Sequence, residues 1–112
     1  MANREQRIKG LIEKNVSEII RFEMKDPGLG FVTVTDAEVS NDFSYAKIFV
    51  SFMGSDDKEE QLARLNKAKG FIRSGLAKRL DIRKTPELTF VYDDTLDKAM
   101  HLEELLKKVE KK

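Results

Sequence analysis

Cysteine is absent, so the chain has neither a disulfide framework nor a thiolate nucleophile. Histidine occurs once, as His101, near the end of what reads as the last helix, where a surface role is the expectation. No apolar run approaches the roughly 18–20 residues of a membrane span. The opening MANREQRIKG carries none of the apolar stretch of a signal peptide, and a cytoplasmic protein is expected. No glycine-rich segment has phosphate-loop spacing and no nucleophile elbow is present, so no nucleotide site, catalytic residue or cofactor is indicated. Asp93 and Asp94, adjacent carboxylates between a strand and a helix, read as caps and not as metal ligands. No Pro/Gly/Ser-rich linker and no repeat divides the 112 residues, which reads as one domain spanning 1–112.

What the chain has is charge, and charge in one place. Charged residues make up 37% of the sequence against 40% hydrophobic, with a net charge of only +1. In residues 64–84, RLNKAKGFIRSGLAKRLDIRK, eight residues are Lys or Arg and Asp81 alone opposes them, so the rest of the chain is net acidic. A basic stretch concentrated in this way is the electrostatic footprint of a nucleic-acid binder. Gly70 and Gly75 interrupt it, each at a cost of about 1 kcal/mol relative to Ala in a helix interior. Such a cost implies a bend, or a backbone that something approaches closely.

Helical periodicity runs through residues 4–25, with Ile8, Leu11, Ile12, Val16, Ile19 and Ile20 on one face and Asn3 as N-cap. Asp26-Pro27-Gly28 ends it in turn chemistry. Phe31–Val39 and Tyr45–Met53 read as strands around a Ser40-Asn41-Asp42 turn. In the second strand Ala46, Ile48, Val50 and Phe52 are expected inward, and Tyr45, Lys47, Phe49 and Ser51 outward. In the first strand the inward face is open, because Phe31 and Val32 point opposite ways. After a Gly54-Ser55-Asp56 turn, a helix with Asp57, Glu59 and Glu60 in its first turn continues through Leu62, Leu65, Ala68, Ile72, Leu76 and Leu80. Phe71 lies off that stripe unless a bend re-phases the helix. Thr85-Pro86 ends the helix, Leu88–Tyr92 forms a third strand, and a last helix runs from about 95 to 109 into a lysine tail. The core then lies within about 4–93, in the order α-β-β-α-bend-α-β-α.

The basic residues divide by spacing. Lys69 and Arg73 fall on one flank of the apolar stripe, Arg64, Lys67 and Lys78 on the other, with Arg83 and Lys84 extending the patch. Which flank faces a ligand is open at this level. So is Gly70, as a bend with bare backbone or as a plain left-handed helix terminus. Tyr45, Lys47 and Phe49 are either a stacking face or a surface covered by the last helix. Arg4, Arg7 and Lys9 are either a minor basic patch or a solvated turn.

KDPGLGFVTVTDAEVSNDFSYAKIFVSF and NKAKGFIRSGLAKRLDIRKTPELTFVYDD resemble the bacterial ribosome-binding factor A family, over a span from Arg4 to about Leu106. The resemblance implies an α+β fold: a single type II KH-like domain with helices packed on a three-stranded mixed sheet. It implies that the GxxG clamp of RNA-binding KH domains is replaced by an Ala-x-Gly kink, here Ala68-Lys69-Gly70. The sequence departs from the family at Gly28, where an Arg is common. The resemblance also implies a non-enzymatic assembly factor that binds the small (30S) ribosomal subunit and its 16S rRNA late in maturation. Processing of the 5′ region of that rRNA and importance in the cold are part of what it implies. The expected RNA-binding set is Arg64, Lys67, Ala68, Lys69, Gly70, Arg73, Lys78, Arg79, Arg83 and Lys84, with Arg4, Arg7 and Lys47 as secondary contacts. A monomer is expected, with an assembly GTPase as a candidate further partner. Two rival readings are a protein-interaction module acting through acidic surfaces and the C-terminal helix, and a small phosphohydrolase.

Overall fold

In the computed structural model, the described residues are 4–24, 26, 29–53, 57–81 and 84–95. The expected Asn3 cap, the Pro27-Gly28 and Gly54-Ser55-Asp56 turns, Arg83, His101 and the last helix beyond Thr95 lie outside them. Helix α1 (Arg4–Glu18) continues into a π-helical turn (Ile19–Glu23). There follow strands β1 (Phe31–Val39) and β2 (Tyr45–Met53), helices α2 (Lys58–Lys67) and α3 (Lys69–Arg79), and strand β3 (Glu87–Tyr92). This is the expected order, with the last helix untested.

The sheet runs β1-β2-β3, with β1 antiparallel and β3 parallel to the central β2. A parallel neighbour requires a crossover, and α2 and α3 supply it. Ala46, Ile48, Val50 and Phe52 are buried, as their alternation predicts, beside Leu88 and Phe90 of β3. The open question in β1 is resolved by a bulge. Val34 pairs with Val50 and Asp36 with Phe49, leaving Thr35 as an extra residue. Val32 and Val34 before it, and Ala37 and Val39 after it, all pack on the core despite their opposite parity. Phe31 turns the other way and is 60% exposed.

Helices cover one face of this sheet. Ile8, Ile12, Val16 and Ile19 of the first helix meet Leu65 of α2 and Ile72 and Leu76 of α3, all buried. Each such side chain contributes about 1.5–3 kcal/mol relative to exposure. Leu11, expected inward, is instead 41% exposed, because the stripe narrows to an i, i+4 row at that turn. Phe71 is 52% exposed, so the bend does not bring it into the core. Asp57 is the cap of α2 and not a first-turn residue: its Oδ1 accepts the Glu60 N–H at 3.0 Å.

Periodicity predicts an unbroken first helix to 25, but its end widens: the Met24 N–H bonds to the Ile19 carbonyl at 3.0 Å. Glu18 and Glu23, five apart, would lie well round an α-helix from one another. Across the π turn both reach Arg79. Gly75 lets α3 pack closely on the π turn, since a Cβ there would stand 3.2 Å from Ile19 Cδ1.

Candidate nucleic-acid interface

The bend falls at Ala68, with φ −92° and ψ 5°, a conformation outside the helical well. Its N–H is shared between the Arg64 and Leu65 carbonyls at 3.1 and 3.0 Å, and its carbonyl accepts from Ile72 at 3.0 Å. One residue therefore closes α2 and opens α3. Gly70 lies in the first turn of α3 without a positive φ, so the left-handed terminus is corrected to a bend one to two residues earlier. Nothing lies within 4 Å of where its Cβ would be. The main chain at Gly70 is thus bare at the surface, and no side chain caps α3. First-turn N–H groups left in this state suit an anion.

The hinge stands between two clefts. On the sheet side Lys69, Gly70 and Arg73 face Glu87, Leu88 and Thr89 of β3 across about 180 Å³. On the α1 side Arg64, Lys67 and Ala68 face Met24, Asp26 and Glu60 around about 610 Å³. Lys69 and Arg73 of one flank and Arg64 and Lys67 of the other thus line two separate openings, while Lys78 lines neither. Asn66 holds the hinge to the sheet: its side-chain amide accepts from the Phe90 N–H at 2.8 Å and donates to the Phe90 carbonyl at 3.1 Å. Sequence reading missed it, although a polar residue at inward spacing, four after Leu62, is a signal of a buried hydrogen-bonding duty.

The basic residues differ in how far they are committed to the fold. Lys67, Lys69 and Lys78 are exposed and make no hydrogen bond or ion pair among the described residues. Arg73 donates to the Thr85 carbonyl from Nε at 3.3 Å and from its terminal nitrogen at 2.9 Å. Arg64 sits between Asp26 at 3.2 Å and Glu60 at 3.3 Å, and these carboxylates hold its pKa above the ordinary value, Glu60 foremost. Lys84 donates to Ser44 Oγ at 2.9 Å. Arg79 is the most committed: it bonds Glu23 at 2.7 Å, Glu18 at 3.1 Å and Asn15 at 3.4 Å. The acidity of the rest of the chain is partly explained, since its carboxylates converge on Arg64 and Arg79.

Among the secondary residues, Arg4 lies over the Phe43 ring at 5.9 Å, Arg7 is exposed, and Lys47 faces outward opposite Glu38 of β1. Lys9 is paired with Asp36 at 2.8 Å. Asp93 accepts the Thr35 hydroxyl at 2.6 Å and the Thr95 N–H at 2.9 Å, while the helix it is expected to cap lies outside the described residues. The Thr35 hydrogen bond, above all, holds its carboxyl below the ordinary aspartate value. No helix among the described residues is long and apolar enough to cross a membrane.

Comparison with known proteins gives consistent matches. A family model described as ribosome-binding factor A matches residues 4–106. The ribosome-binding factor A of Thermodesulfovibrio yellowstonii is 45% identical over 108 residues, covering 96% of this chain and 92% of that one. The crystal structure of ribosome-binding factor A from Thermus thermophilus superposes with a TM-score of 0.73 at 24% identity, over 80% of this chain and 97% of that one. A homology model of Thermus thermophilus ribosome-binding factor A, fitted into a cryo-electron-microscopy map of its complex with 30S, matches with a TM-score of 0.65 at 26% identity, over 76% of this chain and 90% of that one.

Proposed function

The chain belongs to the ribosome-binding factor A family, and on that premise we propose that it binds the small ribosomal subunit through its 16S rRNA, with the Ala68 hinge as the docking surface. The observation that carries this reading is the trio Lys67, Lys69 and Lys78, cations without a protein partner among the described residues, the first two flanking the bare main chain of Gly70 and the third in the last turn of α3. Lysines so placed neutralise phosphates and release counterions, which gives affinity without base readout. Arg73 keeps donors for a phosphate at the sheet-side cleft. Arg79 contributes to the shape of the surface and not to contact.

The protein acts by binding alone. A rigid domain shifts an rRNA equilibrium only by holding one conformation better than another. The family resemblance extends this to late maturation, processing of the 5′ region of 16S rRNA and growth in the cold, with the cytoplasm as the place of work. An assembly GTPase is the further partner proposed. The rival interaction module is weaker, since Asp26, Glu60, Glu18 and Glu23 are occupied within the fold.

Salt titration of subunit binding tests the reading. With about four to six phosphates neutralised, log K against log[salt] should slope near −3 to −5. Charge reversal at Lys67, Lys69 and Lys78 should abolish binding at physiological salt. A flat dependence in the parent protein would sink the docking surface, and turnover of nucleotides by highly purified protein would revive the phosphohydrolase.

A further inference from the structure

We propose that Arg21, Phe22 and Phe31 form a stacking site for an unpaired base of the RNA held at the hinge; the inference rests on the docking surface above. Phe22 and Phe31 are 63% and 60% exposed, on different elements. The Arg21 guanidinium lies over both rings, 5.9 Å from one centroid and 6.0 Å from the other. Arg21 makes no ion pair among the described residues. Three flat groups, one of them cationic, are therefore gathered at one surface, and planar bases stack on aromatic rings and on guanidinium planes.

The π turn is the device that puts Phe22 there. On an uninterrupted α-helix, positions 22 and 23 would follow Ile19 onto the buried face. The extra residue in the turn carries Met24 to the core instead and leaves Phe22 outward. Irregular turns of this kind recur at functional sites.

The location selects RNA as the occupant. Arg21 and Phe31 line a cleft of about 420 Å³ with Ile20, Leu29 and Val32, and Asp26 is part of its wall. Asp26 also walls the cleft of Arg64, Lys67 and Ala68. The two openings share Asp26 as a wall, so a strand whose phosphates meet Lys67 is led past Asp26 toward Arg21 and Phe31. Asp26 does not repel it, being paired with Arg64.

The test compares F22L/F31L, which keeps apolar bulk and removes planarity, with F22W/F31W, which keeps planarity. Binding is measured on 30S subunits and on protein-free 16S rRNA across a salt series, with melting temperatures as the folding control. The leucine variant should bind both about 5- to 100-fold more weakly with an unchanged salt slope, since no phosphate contact is lost, and the tryptophan variant should bind like the parent. Parent-like binding by the leucine variant overturns the inference. So does a loss confined to intact subunits, which would assign the surface to a ribosomal protein. Charge reversal at Lys67 and Lys69 runs in parallel. If it leaves affinity and slope untouched, the hinge reading falls and takes this one with it; if it weakens binding while the leucine variant does not, the stacking site alone falls.

Discussion

Helix α3 has two faces made from the same residue types, and they do opposite things. Ile72, Gly75, Leu76 and Arg79 follow one another at i, i+3, i+4 and i+7 and are committed to the fold: two are buried, Gly75 is pressed by Ile19, and Arg79 is gripped by Glu18 and Glu23. Phe71 and Lys78 lie off that row, exposed, and Gly70, next to Phe71, is open to solvent. A glycine or a cation in this helix therefore has no fixed meaning. What stands opposite it decides whether it holds the domain together or is left for a ligand.

The sharpest way to break the comparison is to fill the two glycines. Gly75→Val should destabilise by about 1–3 kcal/mol through overpacking against Ile19, read by urea unfolding, and Ile19→Ala in the same chain should recover part of it. Gly70→Ala should cost nothing in stability and gain up to about 1 kcal/mol. Its subunit affinity should nevertheless fall if RNA approaches that main chain. Equal stability losses at both positions would erase the distinction between the faces.

The neighbouring cations give the next contrast. Arg79→Ala should cost about 1 kcal/mol of stability by releasing its carboxylates at the end of the first helix. Lys78→Ala should stay within about 0.5 kcal/mol, yet lower the magnitude of the salt slope for subunit binding by about 1. The smallest effect tests a committed polar contact away from α3. Thr35→Val should raise the Asp93 pKa toward the ordinary value, followed by carboxyl carbon shifts in an acid titration. The depressed carboxyl stabilises the fold above the ordinary aspartate range, and that contribution is lost as pH falls through its folded value. The variant should therefore lose less stability on acidification than the parent.

Periodicity made much of this legible. The alternation of Ala46, Ile48, Val50 and Phe52 predicted the buried face of β2, and the glycines within 64–84 pointed to a bend there. The bulge at Thr35 was not legible, because a change of parity between Val34 and Ala37 reads equally as an ambiguous strand until a partner strand sets the register. Nor was the π turn, whose apolar residues satisfy an ordinary helical pattern. Arg21, Phe22 and Phe31 could not be grouped from the sequence, because each is unexceptional in its own segment.

The amino-acid sequence by itself determined the order of elements, the apolar stripes and the concentration of positive charge around Ala68, since all three depend on spacing within a few turns of chain. Only the tertiary structure decided which of those charges remain free. Arg79 meets Glu23 and Glu18 across 56 and 61 positions, and local spacing carries no information about carboxylates so far away. Lys67, Lys69 and Lys78 stay unpaired among the described residues for the complementary reason: when the chain folds, none of its described acids is brought to them.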